Sequence, residues 1–336
     1  MKYSVIVPVY NRPDEVDELL DSLCKQTFTD FEVIIVEDGS SVTCSTVVEK
    51  YNEHLNIQYF EKPNSGPGQT RNYGVERAQG EWMIVLDSDV VLPENYFAAI
   101  ETELTEQPCD AFGGPDKAHP SFTPTQKAIN YAMTSFFTTG GIRGKKNKMD
   151  KFYPRSFNMG IKRDVYLKLN GFSEMRFGED IDFSTRIMKS GFSTRLFTEA
   201  WVWHKRRTDL RKFFKQVHNS GIARIHLTKR HPGTLKLVYL LPSIFTIGVV
   251  LCLLSSIIGF ALPVLGYLGI SPLILFSALI FIDSFFCEKS LKVSFIAILA
   301  SFVQLLGYGT GFIRAWWKEC VMGQGEFEAF KKNFYK

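Results

Sequence analysis

From Leu237 to Ile282 the chain carries no Asp, Glu, Lys or Arg. As helix, these roughly 46 residues would extend about 69 Å, enough for two crossings of a hydrocarbon layer about 30 Å thick. A further apolar stretch, Val293 to Ile313, would supply a third crossing. A pair of helices buried in a soluble core is the competing account, but uncharged runs this long are rare outside membranes. The run therefore predicts a membrane-anchored chain in three parts. A soluble domain occupies 1–233, a transmembrane region 234–317, and a short basic tail 318–336. Two or three spans fall near 237–258, 261–284 and 293–315.

The flanking charges suggest an orientation. Lys229, Arg230 and Lys236 precede the first span, which by the positive-inside rule puts the soluble domain in the cytoplasm, on the inner (plasma) membrane. Lys289 and Lys292 fit a cytoplasmic loop after the second span. Three crossings would then leave Lys331, Lys332 and Lys336 outside, against the same rule. Either the third segment is re-entrant or the tail sits on the disfavoured side, and the sequence leaves both open. The opening "MKYSVIVPVYNRP" has an apolar run broken by Pro8 and Asn11 and no cleavage-site pattern, so no signal peptide is expected. Cys24, Cys44, Cys109, Cys252, Cys287 and Cys320 lack metal-binding spacing and read as small buried hydrophobes in a reducing compartment. A formal charge of +4 is too small to indicate a nucleic-acid partner.

The first two thirds alternate two patterns. Short β-branched runs at Tyr3–Val9, Phe31–Glu37, Ile57–Phe60 and Trp82–Leu86 are separated by amphipathic stretches such as "PDEVDELLDSLCKQ", whose Pro13 suits a first helical turn. Strands apolar on both faces belong in a mostly parallel sheet covered by helices, an α/β architecture that binds ligands beyond the carboxyl ends of its strands. "VIIVEDGS" and "MIVLDSD" both end there.

"MIVLDSD" places Asp87 and Asp89 one residue apart at a strand end, where their charges repel. Solvated turn acids are one reading. The other is a divalent cation that removes the repulsion and lends its charge to a phosphate, with Mg²⁺ or Mn²⁺ suited to oxygen ligands. "VPVYN" (7–11), "VEDGS" (36–40) and "NSGPGQTRNYG" (64–74) each follow a strand and carry the small polar residues that let backbone approach a ligand.

The order and spacing of these motifs, from Tyr3 to about His204, resemble glycosyltransferase family 2 and its GT-A fold, a nucleotide-binding α/β sandwich. The resemblance implies that Asp38 contacts the base or ribose of a nucleotide-sugar, with Pro8, Tyr10 and Asn11 in the same pocket and Arg71 and Asn72 at the nucleotide end. It implies Asp89 as the direct metal ligand and Asp87 nearer the ribose and sugar, with His204 near the metal or the donor phosphates. "GFSEMRFGEDIDFSTR" resembles the family's catalytic motif, which gives Asp180 the role of general base beside Glu179. Asn158 and Met159 resemble an acceptor-side loop, and Gly113 to Asp116 line the same side. No Gln-x-x-Arg-Trp signature of processive members occurs.

Plainer accounts stand beside each assignment. Asp38 fits a helix cap and Arg71 a helix-surface charge. Glu179 and Asp180 fit first-turn acids favoured by the helix dipole, and His204 a structural histidine. The basic clusters 142–155 and 204–215 are either solvated surface or contacts to anionic lipid or a lipid-linked diphosphate. The expected function is metal-dependent, inverting transfer of one sugar from a nucleotide-sugar, best a UDP-sugar, to a hydroxyl of a lipid-linked or cell-surface glycan. Two rivals remain, transfer to polyprenyl phosphate and a non-catalytic subunit of a polysaccharide assembly complex. A nucleotidyltransferase would need a glycine-rich loop after the first strand, where "VPVYNRPDEV" has none.

Overall fold

The computed structural model describes residues 1–140, 152–175, 177–259 and 263–325. The described residues of Met1–His119 and Asn147–Lys205 form one compact unit, and those of Pro120–Lys146 and Arg206–Glu326 a second. Residues 326–336 of the basic tail and most of cluster 142–155 lie outside the described residues.

Among its described residues the first unit has ten strands: β1 (Tyr3–Val9), β2 (Phe31–Asp38), β3 (Ile57–Lys62), β4 (Trp82–Leu86), β5 (Val90–Val91), β6 (Ala111–Gly113), β7 (Asp116–Lys117), β8 (Asn158–Lys162), β9 (Thr194–Leu196) and β10 (Val202–His204). Seven make one sheet in the order β3-β2-β1-β4-β8-β6-β9, and β5, β10 and β7 make a small second sheet. The strands β3, β2, β1 and β4 run parallel, as their β-branched runs predict, while β8 enters antiparallel between β4 and β6. β1 shows why the sheet is covered twice. Tyr3, Val5, Val7 and Val9 face a cluster with Val16, Leu19, Leu20 and Leu23 of α1 (Pro13–Cys24). Ile6 faces the opposite cluster with Val75, Tyr166, Phe183 and Ile187. The period-two alternation thus sorts side chains into two cores, one on each face.

The other helices complete these layers: α2 (Ser45–Glu49), α3 (Pro67–Val75), α4 (Tyr96–Glu106), and, after two helices of the second unit, α7 (Arg163–Lys168) and α8 (Glu179–Lys189). Parallel strands put the ends of β1, β2 and β4 on one edge, and antiparallel pairing brings the start of β8 to the same edge, with Asn158 opposite Leu86. That edge carries Asn11, Asp38, Asp87 and the residues just before Asn158.

The second unit comprises α5 (Pro124–Thr134), α6 (Phe136–Thr139), α9 (Leu210–Arg230), α10 (Leu241–Ile258), α11 (Pro263–Glu288) and α12 (Leu291–Trp316). Among the described residues, Leu237–Ile258, Pro263–Glu288 and Leu291–Val321 are long and apolar enough to cross a membrane. A β-carbon on Gly311 would lie 2.0 Å from the His218 carbonyl, and one on Gly221 would lie 2.2 Å from that of Tyr308, so small residues let α9 and α12 pack backbone to backbone. Glu319, fully buried beyond α12, pairs with His226 at 2.6 Å and Lys229 at 2.8 Å.

Candidate active site

The chain leaves β4 at Leu86 and re-forms a strand at Val90, so Asp87, Ser88 and Asp89 make the turn between them. β5 then pairs antiparallel with β10, setting Val90 opposite His204, and the Lys205 N–H donates to the Asp89 carbonyl at 3.1 Å. This pairing is what carries His204 across more than a hundred residues to Asp89, with Nε2 3.2 Å from Oδ1. One ligand atom each from Asp87, Asp89 and His204 lies within 4.8 Å of the others. The Phe157 ring stacks on the imidazole at 5.0 Å, and Asp116 Oδ2 lies 3.9 Å from its Nδ1, which together fix the ring. Two carboxylates that repel and one oriented imidazole, all half-buried, fit a divalent cation. Arg12 stands at the rim, its Nη1 3.8 Å from Asp89 Oδ2 and 2.6 Å from Glu15.

Arg71 joins this cluster to the acidic start of α8. The guanidinium is 3% exposed, with Nη2 donating to Asp87 Oδ1 at 2.7 Å and Nη1 to Glu179 Oε1 at 3.1 Å. Glu179 and Asp180 are both buried. Burial, with Asp180 alongside, pushes the Glu179 carboxyl up to about 7 against the pull of Arg71. Burial would raise Asp180 as well, but Arg155, its Nε 2.5 Å from Oδ2, outweighs it and holds that carboxyl below the ordinary aspartate value. The Ile181 N–H donates to Oδ1 at 2.8 Å. Two adjacent carboxyls are therefore driven apart, the arrangement that lets one act as a base at neutral pH.

The residues expected at the nucleotide are mostly engaged within the protein. Pro8 and Tyr10 are half-buried at the end of β1. Asn11 adopts the left-handed region (φ 54°), and its Oδ1 accepts from the Ser41 and Val42 N–H groups at 2.8 and 2.9 Å. Asp38 is fully buried; its carboxylate accepts from Lys62 Nζ at 2.5 Å and from the Ser65 and Gly66 N–H groups at 2.8 Å each. Gly66 precedes α3 at φ +93°, a conformation that suits glycine alone. Asp38 thus clamps the loop 62–66. The Asn72 amide donates to the Phe172 carbonyl at 2.8 Å and accepts from the Phe172 N–H and the Tyr166 hydroxyl, bolting α3 to the chain after α7. Asn158 and Met159 are in no loop. They begin β8, where Asn158 accepts from the Tyr96 hydroxyl at 2.6 Å and donates to the Ala200 carbonyl at 2.8 Å, because pairing with Leu86 and Val85 draws them into the sheet. Arg12 went unmarked in the sequence, and Arg155 closes a basic run that reads either as surface or as a contact to anionic lipid or a lipid-linked diphosphate, with no spacing that ties it to Asp180.

The known proteins that the chain resembles place its residues 4–169 in a family. A sequence model described as glycosyl transferase family 2 matches residues 4–169. Through these residues the chain belongs to glycosyltransferase family 2. Over 93 residues it is 45% identical to the poly(ribitol-phosphate) beta-N-acetylglucosaminyltransferase TarS of Staphylococcus aureus (strain Mu50 / ATCC 700699), covering 26% of this chain and 16% of TarS. Over 237 residues it is 28% identical to the uncharacterized glycosyltransferase YibD of Escherichia coli (strain K12), covering 67% and 64%. The chain thus spans about a sixth of the first relative and just under two thirds of the second. In three dimensions it resembles S. aureus TarS 1–349 in complex with UDP-GlcNAc (TM-score 0.51, 20% identity, 96% of this chain and 93% of that one). It also resembles the mannosyltransferase PcManGT from Pyrobaculum calidifontis in complex with GDP-Man and Mn²⁺ (TM-score 0.57, 15% identity, 95% and 88%). At these identities the likeness fixes the fold, which is GT-A.

Proposed function

We propose that the protein transfers a single sugar from a nucleotide-sugar, best a UDP-sugar, to a hydroxyl of a lipid-linked or cell-surface glycan, with inversion at the anomeric carbon. The observation that carries the reading is the convergence of Asp87, Asp89 and His204 within 4.8 Å, linked by Arg71 to Glu179 and so to Asp180. Asp87, Asp89 and His204 would hold Mg²⁺ or Mn²⁺, which when bound supplies positive charge for the departing nucleoside diphosphate. Asp180 takes the acceptor's hydroxyl proton, for which it must lie within about 3 Å of that oxygen. The new C–O bond forms at the anomeric carbon as the bond to the diphosphate oxygen breaks, on the opposite face, so one carboxylate suffices where glycoside hydrolysis uses two. Arg71 keeps the metal-side aspartate and the start of α8 in register. The soluble unit belongs on the cytoplasmic face of the plasma membrane, anchored by the apolar helices.

The test is release of nucleoside diphosphate from UDP-, GDP- and dTDP-sugars by detergent-solubilised protein, with and without Mn²⁺, beside Asp89→Ala. Metal-dependent turnover lost in the variant supports the reading, and metal-independent nucleotide binding speaks for a non-catalytic subunit. The grip of Arg155 on Asp180 favours one second reading, transfer to polyprenyl phosphate, because an anionic acceptor needs no base and welcomes a guanidinium. Asp180→Asn separates them: a phosphate acceptor tolerates it, whereas a hydroxyl acceptor loses most activity.

A further inference from the structure

We propose that Arg155 is a positioning residue for Asp180, gripping one carboxylate oxygen so that the carboxylate presents a fixed face to the acceptor; this rests on the reading of Asp180 as general base. Nε of Arg155 takes Oδ2 at 2.5 Å and the Ile181 N–H takes Oδ1 at 2.8 Å, so both oxygens are oriented. An ionised carboxylate has about four acceptor sites, which leaves two for a substrate hydroxyl.

The arginine is itself held from three sides. The Ser184 hydroxyl donates to the Pro154 carbonyl at 2.5 Å, and Ser184 lies one turn beyond Asp180, so the segment runs along the 180/184 face of α8. The Asn158 N–H donates to the Arg155 carbonyl at 3.0 Å, tying the segment to β8. At the end of β6, a β-carbon on Gly113 would lie 2.7 Å from the Phe152 ring and 3.2 Å from Pro154 Cα, so the segment is pressed on that strand too. A backbone fixed by α8, β8 and β6 gives the guanidinium a defined reach.

Among the described residues, the charges facing this pair are Glu179 on α8, Arg71 on α3 with Asp87 beyond it, and Asp116 on β7. Without Arg155, burial favours the protonated acid, with Arg71 and the Ile181 N–H left to oppose it. Loss of an opposite charge at this range raises a carboxyl by about 1–3 pH units.

The experiment uses the full chain in detergent with ¹³C-carboxyl-labelled aspartate, the Asp180 signal being identified by its loss in Asp180→Asn. Between pH 5 and 8 the wild-type signal should stay that of the ionised form. In Arg155→Gln a protonated form should appear toward pH 5, and Arg155→Lys should restore most of the ionised state. An Asp180 signal in Arg155→Gln that matches wild type throughout would overturn the proposal. Nucleoside diphosphate release from UDP-GlcNAc with Mn²⁺ is followed on the same samples. Full turnover in Asp180→Asn would remove the base reading, and with it the catalytic meaning of the grip, whatever the titration shows. Loss in Asp180→Asn with unchanged kcat in Arg155→Gln would overturn the positioning role alone. The expected result is a lower kcat at unchanged donor KM, with the acid limb of the pH profile moved upward.

Discussion

Replacing Glu179 with glutamine should make the protein more stable at alkaline pH. The Glu179 residue is 8% exposed, and burial beside Asp180 raises its carboxyl from 4.5 in the ordinary case to about 7 in the fold. A raised folded-state value means the fold favours the protonated acid. That contribution is fully present below about pH 4.5 and is lost as pH climbs through 7. At about 1.4 kcal/mol per pH unit, the interval corresponds to about 3 kcal/mol of stability gone by pH 8. Glutamine removes the ionisation yet keeps an amide oxygen where Glu179 Oε1 accepts from Arg71 at 3.1 Å. The variant should lie within about 1 kcal/mol of wild type at pH 5 and exceed it by about 3 kcal/mol at pH 8, or about 6–12 °C in Tm for a unit of this size. Thermal unfolding followed by tryptophan fluorescence, in EDTA and across pH 5–8, reads this directly. Parallel curves for the two proteins, or a variant less stable at pH 8, would refute the account of how this carboxyl is buried.

Two further outcomes follow from the geometry. Exchanging Gly160 for alanine would put a β-carbon 2.0 Å from the Phe112 ring, itself stacked on Phe197 at 4.4 Å, so denaturant melts should show a loss of about 1–3 kcal/mol, partly recovered by adding Phe112→Leu. His204→Ala removes the imidazole that β10 delivers to Asp89, so Mn²⁺ affinity measured by calorimetry should fall at least tenfold while thermal stability without metal changes little.

The parallel half of the sheet was legible because its signal is local. Tyr3–Val9 and Trp82–Leu86 form strands over the predicted residues, and α8 begins at Glu179 as its acidic first turn suggests. Asp87 and Asp89 were visible for the same reason, since two acids after an apolar run are conspicuous. His204 joined them through the resemblance; the strand pairing that brings it there spans a distance no local pattern encodes. The pairing of Arg155 with Asp180 and the place of Asn158 in β8 were not legible because their partners are set by tertiary register. Asn158 looks like a polar loop residue, yet β4 and β6 enclose it and its amide is satisfied by Tyr96 and Ala200. Asp38 and Asn72, whose sequence context suits ligand contacts, are also hydrogen-bonded to neighbouring backbone and side chains, which local pattern does not encode.

The antiparallel entry of β8 also bears on how the chain is made. β1 to β4 lie within the first 86 residues and can assemble as they emerge, but the open edge of β4 must wait for Asn158–Lys162. Until then the unpaired edge of an apolar strand is available to other nascent chains, the kind of exposure that seeds aggregation. The seven-stranded sheet is complete once Leu196 has been synthesised, and the first apolar helix segment begins at Leu237. At about 5–20 residues per second that leaves roughly 2–8 s for the sheet to close before the first helix long and apolar enough to cross a membrane is made.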